Sequence, residues 1–264
     1  MKKIYIILML AALVLVSSCD EISTDERLTY VEPPQACRGV LIEDYTGQYC
    51  VNCPRATEEI ERLVEQYGDT SVIAVAIHSG PFSKNKGELT PLYTEVGDMY
   101  FNTWGLSAQP VGLVDRLFDS FPFSFTDWAG GVNYEIAIEP PVGFQTDVDY
   151  DKDTRQAAIE VQTIGLASDL VSGKLQVWLI EDSIDSFQLM PDGSREEHYN
   201  HMHVFRASVN DSWGDELSVD HGQVAVKNYE LRLDPVWVPE HCSIVTFLYD
   251  NTGVRQVAKS KLIQ

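Results

Sequence analysis

Positive charge is scarce in this chain: 19 Lys and Arg stand against 40 Asp and Glu, for a formal net charge of −21. No basic stripe gathers anywhere along it. Such a surface repels nucleic acid and anionic headgroups and favours solubility, so no nucleic-acid partner is expected. Long apolar runs are missing as well. The run at residues 4–16 is too short to read as a spanning helix. Cysteine is sparse, with five in 264 residues, so each one has to be placed. A phosphate loop and a nucleophile elbow are both absent from the second half, and nothing in the chain calls for a cofactor or a fixed metal site.

What the chain does have is a stretch at residues 40–56, VLIEDYTGQYCVNCPRA. An apolar, β-prone run (Val40, Leu41, Ile42) meets a turn at Thr46-Gly47, then Cys50-Val51-Asn52-Cys53. Beyond it Ile60, Leu63, Val64 and Tyr67 recur at helical spacing, with Glu58, Glu59, Glu61 and Arg62 on the other side. Strand, turn, C-x-x-C, helix is the order that puts the first thiol at a helix N-terminus. There the free N–H groups and the dipole stabilise a thiolate. Cys53 follows one turn later, close enough to pair with Cys50 or to resolve a mixed disulfide. Cys50 is therefore expected to be the more exposed and more acidic of the two.

These residues resemble the thioredoxin-like fold. Asp44, six positions before Cys50, stands where that fold keeps a carboxylate beneath its dithiol, and Tyr49 stands where it keeps an aromatic. Residues 104–114, WGLSAQPVGLV, are similar to the segment holding its cis-proline. The resemblance implies catalytic roles for Cys50, Cys53, Asp44 and Pro110, supported by Tyr49, His78 and Gln109, with Gln109–Pro110 in the cis form. Val51-Asn52 between the cysteines and Pro54 after them depart from the usual pattern, which bears on redox potential rather than fold. A one-residue slip of the strand would turn Glu43 inward in place of Asp44.

The first residues say where the chain works. Lys2-Lys3, the apolar run and Val16-Ser17-Ser18-Cys19 form a signal peptide over residues 1–18. Its end resembles a bacterial lipobox, which implies lipid attachment at Cys19 and a membrane partner reached without a crossing. Residues 19–36 are acidic, carry Pro33-Pro34 and read as a tether; they also resemble a lipoprotein surface-export signal. In an oxidising compartment Cys37 and Cys242 then remain, as a structural disulfide or as two separate buried thiols.

Residues 71–78, SVIAVAIH, form a βαβ unit with the first strand, ending on His78 at the edge where sites of open α/β sheets gather. His78 either assists a thiol there or simply closes the strand. A polar loop follows, then a helix expected from Thr90 to about Asn102, and a weak one over residues 126–138. The expected fold class is an α/β thioredoxin-like domain over residues 37–139, then an all-β antiparallel sandwich over residues 140–264. Strands are expected at 142–150, 157–164, 174–180, 202–209, 223–233, 243–249 and 254–262. His198, His201 and His203 are conspicuous there, and a polar strand edge accounts for them without a metal.

The whole chain resembles the outer-membrane-protein-28-related lipoproteins. The resemblance is carried by the lipobox, by residues 43–47 with Cys50-Val51-Asn52-Cys53-Pro54, by Ala76-Ile77-His78 and by residues 201–206, HMHVFR. Residues 210–214 and 244–250 add to it. It implies an outer-membrane lipoprotein, on the periplasmic or the external side. Two functions follow: thiol–disulfide exchange with a protein partner, or a surface binding module whose C-x-x-C is only a structural bridge.

Overall fold

In the computed structural model, which describes residues 37–85 and 87–263, the apolar run becomes strand β1 (Val40–Thr46), with all seven residues buried. Helix α1 (Cys53–Tyr67) begins on the second cysteine, with Pro54 in its first turn where a missing N–H costs nothing. It ends at Gly68, whose φ of 91° lets the chain reverse. Cys53, Ala56, Ile60 and Leu63 form its buried face. Ile60 and Leu63 each contribute roughly 1.5–3 kcal/mol by leaving water. Strand β2 (Val72–His78) lies parallel to β1 in the register Val40↔Val72 to Thr46↔His78.

Two short strands, β3 (Lys84–Asn85) and β4 (Glu88–Leu89), pair in the loop that follows. Helix α2 spans Glu95–Thr103 rather than starting at Thr90, because Thr94 is the residue that caps it. Its Oγ1 accepts from the Gly97 N–H at 3.1 Å. Strand β5 (Val111–Val114) then runs antiparallel to β1, and helix α3 (Trp128–Glu135) packs Trp128 and Val132 beside Ile42 and Val114.

Beyond this, the chain is strand after strand: β6 (Val142–Asp151), β7 (Gln156–Gly165), β8 (Val171–Glu181), β9 (Ile184–Leu189), β10 (Arg195–His201) and β11 (Val204–Ser208). β12 (Asp215–Val219), β13 (Val224–Arg232), β14 (Cys242–Asp250) and β15 (Gly253–Lys261) complete it. The seven strands expected here all form. The β9–β10 hairpin and β12 are additional, since Arg195-Glu196-Glu197-His198 shows no apolar alternation to announce a strand.

The expected fold class is overturned. Strands hold 46% of the structure and helices 20%, and no separate α/β domain of the thioredoxin-like kind is evident. β1, β2 and β5 belong instead to one eight-stranded mixed sheet in the order β15-β14-β8-β11-β2-β1-β5, with β12 also on β8. The join is β11 on β2, where Val204 faces Ala76 and the Ala76 N–H donates to the His203 carbonyl at 2.8 Å. An open β2 edge would leave unpaired N–H and C=O groups, and this contact satisfies the edge at Ala76. The all-β part of the expectation fits: β13, β7 and β6 form an antiparallel sheet packed over β8 and β14 through Ile159, Val161, Val177 and Ile244. The described residues make one compact unit.

Candidate functional site

The loop between β1 and α1 is held by its own turn and by its neighbour. Cys50 N–H donates to the Gly47 carbonyl at 3.0 Å and Tyr49 N–H to the Phe82 carbonyl at 2.9 Å. Gly47 has to be glycine, because a Cβ there would stand 2.6 Å from the Phe82 backbone. Cys50 and Cys53 are joined as a disulfide with Cα atoms 5.4 Å apart. Cys50 lies three residues ahead of α1, not within it, and is 1% exposed against 2% for Cys53. The expectation of a more exposed Cys50 is therefore wrong, since both sulfurs are covered.

Part of the cover is the β9–β10 hairpin, whose Gln188, Tyr199 and His201 line the cavity beside Cys53. Leu189 N–H donates to the Gln48 carbonyl at 2.9 Å, and Gln188 Nε2 donates to the Cys50 carbonyl at 3.0 Å and the Gly47 carbonyl at 3.4 Å. Gln48 answers through Nε2, which donates to Ser186 Oγ at 2.9 Å and the Phe187 carbonyl at 2.7 Å. The Tyr49 ring rests 5.2 Å from that of Phe187, and the Arg195 guanidinium lies 3.9 Å from the Phe187 ring centre.

Behind Cys53 is a cavity of about 20 Å³ lined by Asp44, Thr46, His78, Gln188, Tyr199 and His201 among others. That is room for one water, and the polar lining suits one. Asp44 is 1% exposed, and burial pushes its carboxyl up to about 8. Its Oδ1 has no hydrogen-bond partner, and neither does His78 Nδ1. The His78 and His201 rings meet edge to face at 5.3 Å. Burial drives both imidazoles towards the neutral form, His78 well below its ordinary value and His201 to about 4. Glu43, next to Asp44, points the other way: its carboxylate binds Arg116 at 2.6 Å and accepts from Tyr45 Oη at 3.0 Å.

Pro110 lies just before β5, whose Val111 pairs with Tyr45, so it stands at the dithiol end of β1. The Gln109–Pro110 peptide is cis. Gln109 Nε2 donates to the Thr46 carbonyl at 2.6 Å and the Ser79 carbonyl at 3.0 Å, tying the ends of β1 and β2 together.

The other expected groups do not converge here. Cys37 is exposed and Cys242 buried, and both are free thiols, so the structural disulfide between them is not formed. Burial pushes the Cys242 thiol up to about 12, and its neighbour is the Val238 carbonyl at 3.4 Å. Cys19 lies outside the described residues. His198 is exposed on Asp185 and His203 faces Asp182, so only His201 of the three reaches the dithiol. Gln48, Gln188 and Tyr199 are site residues that sequence reasoning missed. The apolar-polar pattern marks none of them, and two arrive from a strand pair that begins more than 130 residues downstream of Cys50.

A family profile described as Outer membrane protein Omp28 matches residues 97–264. HBP35 of Porphyromonas gingivalis has a similar structure, with a TM-score of 0.66 at 14% identity, covering 86% of this chain and 76% of that one. An Agrobacterium tumefaciens protein solved by structural genomics follows at 0.50 and 16% identity, covering 86% of this chain and 94% of its own. A domain of the outer membrane lipoprotein Omp28 from Porphyromonas gingivalis is 24% identical over 47% of this chain and 88% of that one, with a TM-score of 0.34. At these identities HBP35 and the Agrobacterium protein speak to the fold alone. No curated protein matches the chain. The profile covers well over half of it, so the chain belongs to the Omp28 family, and the outer membrane is its location.

Proposed function

We propose that this outer membrane protein of the Omp28 family performs thiol–disulfide exchange in the cell envelope through Cys50 and Cys53, held to the membrane by a lipid on Cys19. The observation that carries the reading is Asp44. A buried carboxyl with an unpartnered oxygen, lining the same small cavity as Cys53, is costly to keep and useless to a purely structural bridge.

In this reading a partner thiolate attacks Cys50 Sγ. The Cys50–Cys53 bond breaks, a mixed disulfide forms, and Cys53 leaves as a thiolate that takes the Asp44 proton. A second partner thiol then attacks the mixed disulfide and expels Cys50. The partner dithiol ends as a disulfide, and the protein ends as a dithiol. Pro110 and Gln109 shape the adjoining surface, and Tyr49 flanks the entry.

The burial of both sulfurs favours a second reading, a surface binding module with a structural disulfide. Stopped-flow reduction of the full chain by a peptide dithiol separates them. Exchange that slows markedly in Asp44→Asn supports the first, and a bridge inert to every thiol short of unfolding supports the second.

A further inference from the structure

We propose that the face formed by Gly47, Gln48, Tyr49 and Cys50 is a docking site for an extended polypeptide segment carrying an aromatic residue followed by a cysteine, and that β9 occupies it in place of that partner. The proposal rests on the exchange reading above and says which thiols that site accepts.

The observation is how β9 sits. It meets the dithiol loop as a strand would, through a main-chain bond from Leu189 N–H to the Gln48 carbonyl at 2.9 Å. Side chains of successive residues then fill defined places. Phe187 lies on the Tyr49 ring with centroids 5.2 Å apart, and Gln188 reaches the Cys50 and Gly47 carbonyls while lining the cavity beside Cys53. Main-chain pairing plus side-chain places is how an extended peptide is recognised at a sheet or loop edge. A partner laid along β9's path would put its aromatic where Phe187 is. The next residue, if cysteine, would stand beside the disulfide in place of Gln188.

The need for displacement follows from exposure. With Cys50 at 1% and Cys53 at 2%, no partner sulfur reaches Cys50 while the hairpin is in place. The contacts holding it are separable from the rest of the fold. β10 pairs only with β9 among the described residues, so the hairpin is a two-stranded sheet apart from the eight-stranded one. Once it has moved, the covalent step is the one already given: peptide thiolate onto Cys50 Sγ, with Cys53 leaving and taking the Asp44 proton.

The test uses the oxidised full chain, its Gln188→Ala variant and the Phe187→Ala/Gln188→Ala variant. Each is mixed with glutathione, with a reduced Ser-Phe-Cys-Leu peptide and with the Ser-Ala-Cys-Leu analogue. Loss of hairpin hydrogen bonds should speed the reaction with the Phe peptide by about fivefold or more, with the Phe peptide faster than the Ala peptide. Rates that do not change in the variants overturn the proposal. So does an equal acceleration for all three thiols, which would mean a cover without a strand site. If no variant exchanges with any thiol, the exchange reading fails. The docking face is then judged by fluorescence anisotropy of a labelled Ser-Phe-Ser-Leu peptide: binding to the double variant upholds it, and no binding overturns it.

Discussion

Glu43 and Asp44 are neighbours on β1, each no more than 1% exposed, and the structure gives them opposite treatment. Glu43 is ion-paired with Arg116 at 2.6 Å, whereas Asp44 Oδ1 has no partner and its carboxyl is pushed up to about 8. Strand alternation explains the two faces, and the partner on only one of them explains the two chemistries.

A stability prediction follows for Asp44. Unfolded, its carboxyl ionises near 3.8, and folded it ionises near 8. Between those values the folded state holds a proton that the unfolded state has lost, so this group makes stability fall as pH rises. Asp44→Asn should remove that loss. The gap in unfolding free energy between variant and parent should widen from pH 4 to pH 8, by about 1.4 kcal/mol per pH unit at the steepest. Above pH 8 it should level off. Urea unfolding across that range checks it, and a gap that stays constant with pH would show Asp44 to be ionised in the fold. The same variant should slow Cys53 release near neutral pH by on the order of a hundredfold.

Much of this pair was legible in the sequence. Val40-Leu41-Ile42, the turn at Gly47 and the Ile60/Leu63 periodicity are local signals, and they place β1, the loop and α1 closely. That Asp44 faces the dithiol is implied by the resemblance, with Glu43 as the alternative, and the structure decides it, with Asp44 on the cavity beside Cys53 and Glu43 on Arg116. What covers the dithiol was not legible, because it depends on one strand meeting another far along the chain. The Val204↔Ala76 pairing that merges the sheets has no local signature. Nor does Arg195–His201, a strand of polar residues that is stable because it pairs with β9 and lies against the loop. Sequence periodicity reports what is buried on one face, and β10 has little buried on either.

The two cysteines should play unequal parts. Cys53 lies at the start of α1 and shares its cavity with Asp44, while the carbonyl of Cys50 faces the removable hairpin. Mixed with a partner in its disulfide form, Cys53→Ser should accumulate a mixed disulfide through Cys50 with release of one partner thiol, readable by mass spectrometry of the intact adduct. Cys50→Ser should accumulate far less, because its remaining sulfur is behind the helix start. Equal trapping by both variants would mean that the two sulfurs are equally reachable and that Cys50 is not singled out for exchange.

Arg116 provides a separate test of the core. Its guanidinium lies 4.4 Å from the Tyr249 ring centre, 5.1 Å from Phe247 and 5.2 Å from Trp104, with Glu43 at 2.6 Å as its only anion among the described residues. Glu43→Gln alone leaves a buried cation unpaired and should cost about 3–5 kcal/mol. Arg116→Met alone should cost a similar amount for the converse reason. The double variant should cost less than the two losses together, since neither charge is then stranded. Additive losses in a denaturant-unfolding cycle would mean that the pair is not coupled.

The last prediction concerns acid and the hairpin. His201 sits on β10 with its Nε2 3.3 Å from the Phe187 carbonyl and its ring against His78. Burial brings it from 6.5 to about 4 and lowers His78 as well, with Arg206 adding to both shifts and Asp185 opposing that of His201. A base whose folded pKa is lowered is neutral in the fold while the unfolded form takes up a proton. Stability held above pH 6.5 is therefore lost as pH falls from 6.5 towards 4. The loss should fall first on the β9–β10 contacts, because opening the hairpin exposes His201 to water without unfolding the eight-stranded sheet. Hydrogen exchange at the Leu189 N–H, corrected for intrinsic rate, should lose protection by about tenfold for each pH unit within that range at most. His201→Gln should flatten the dependence while leaving the pH 7 protection of β14 amides in place. If Leu189 protection is the same at pH 7 and pH 5, or falls together with that of β14, the hairpin does not open on its own, and its departure cannot be what admits a partner to Cys50.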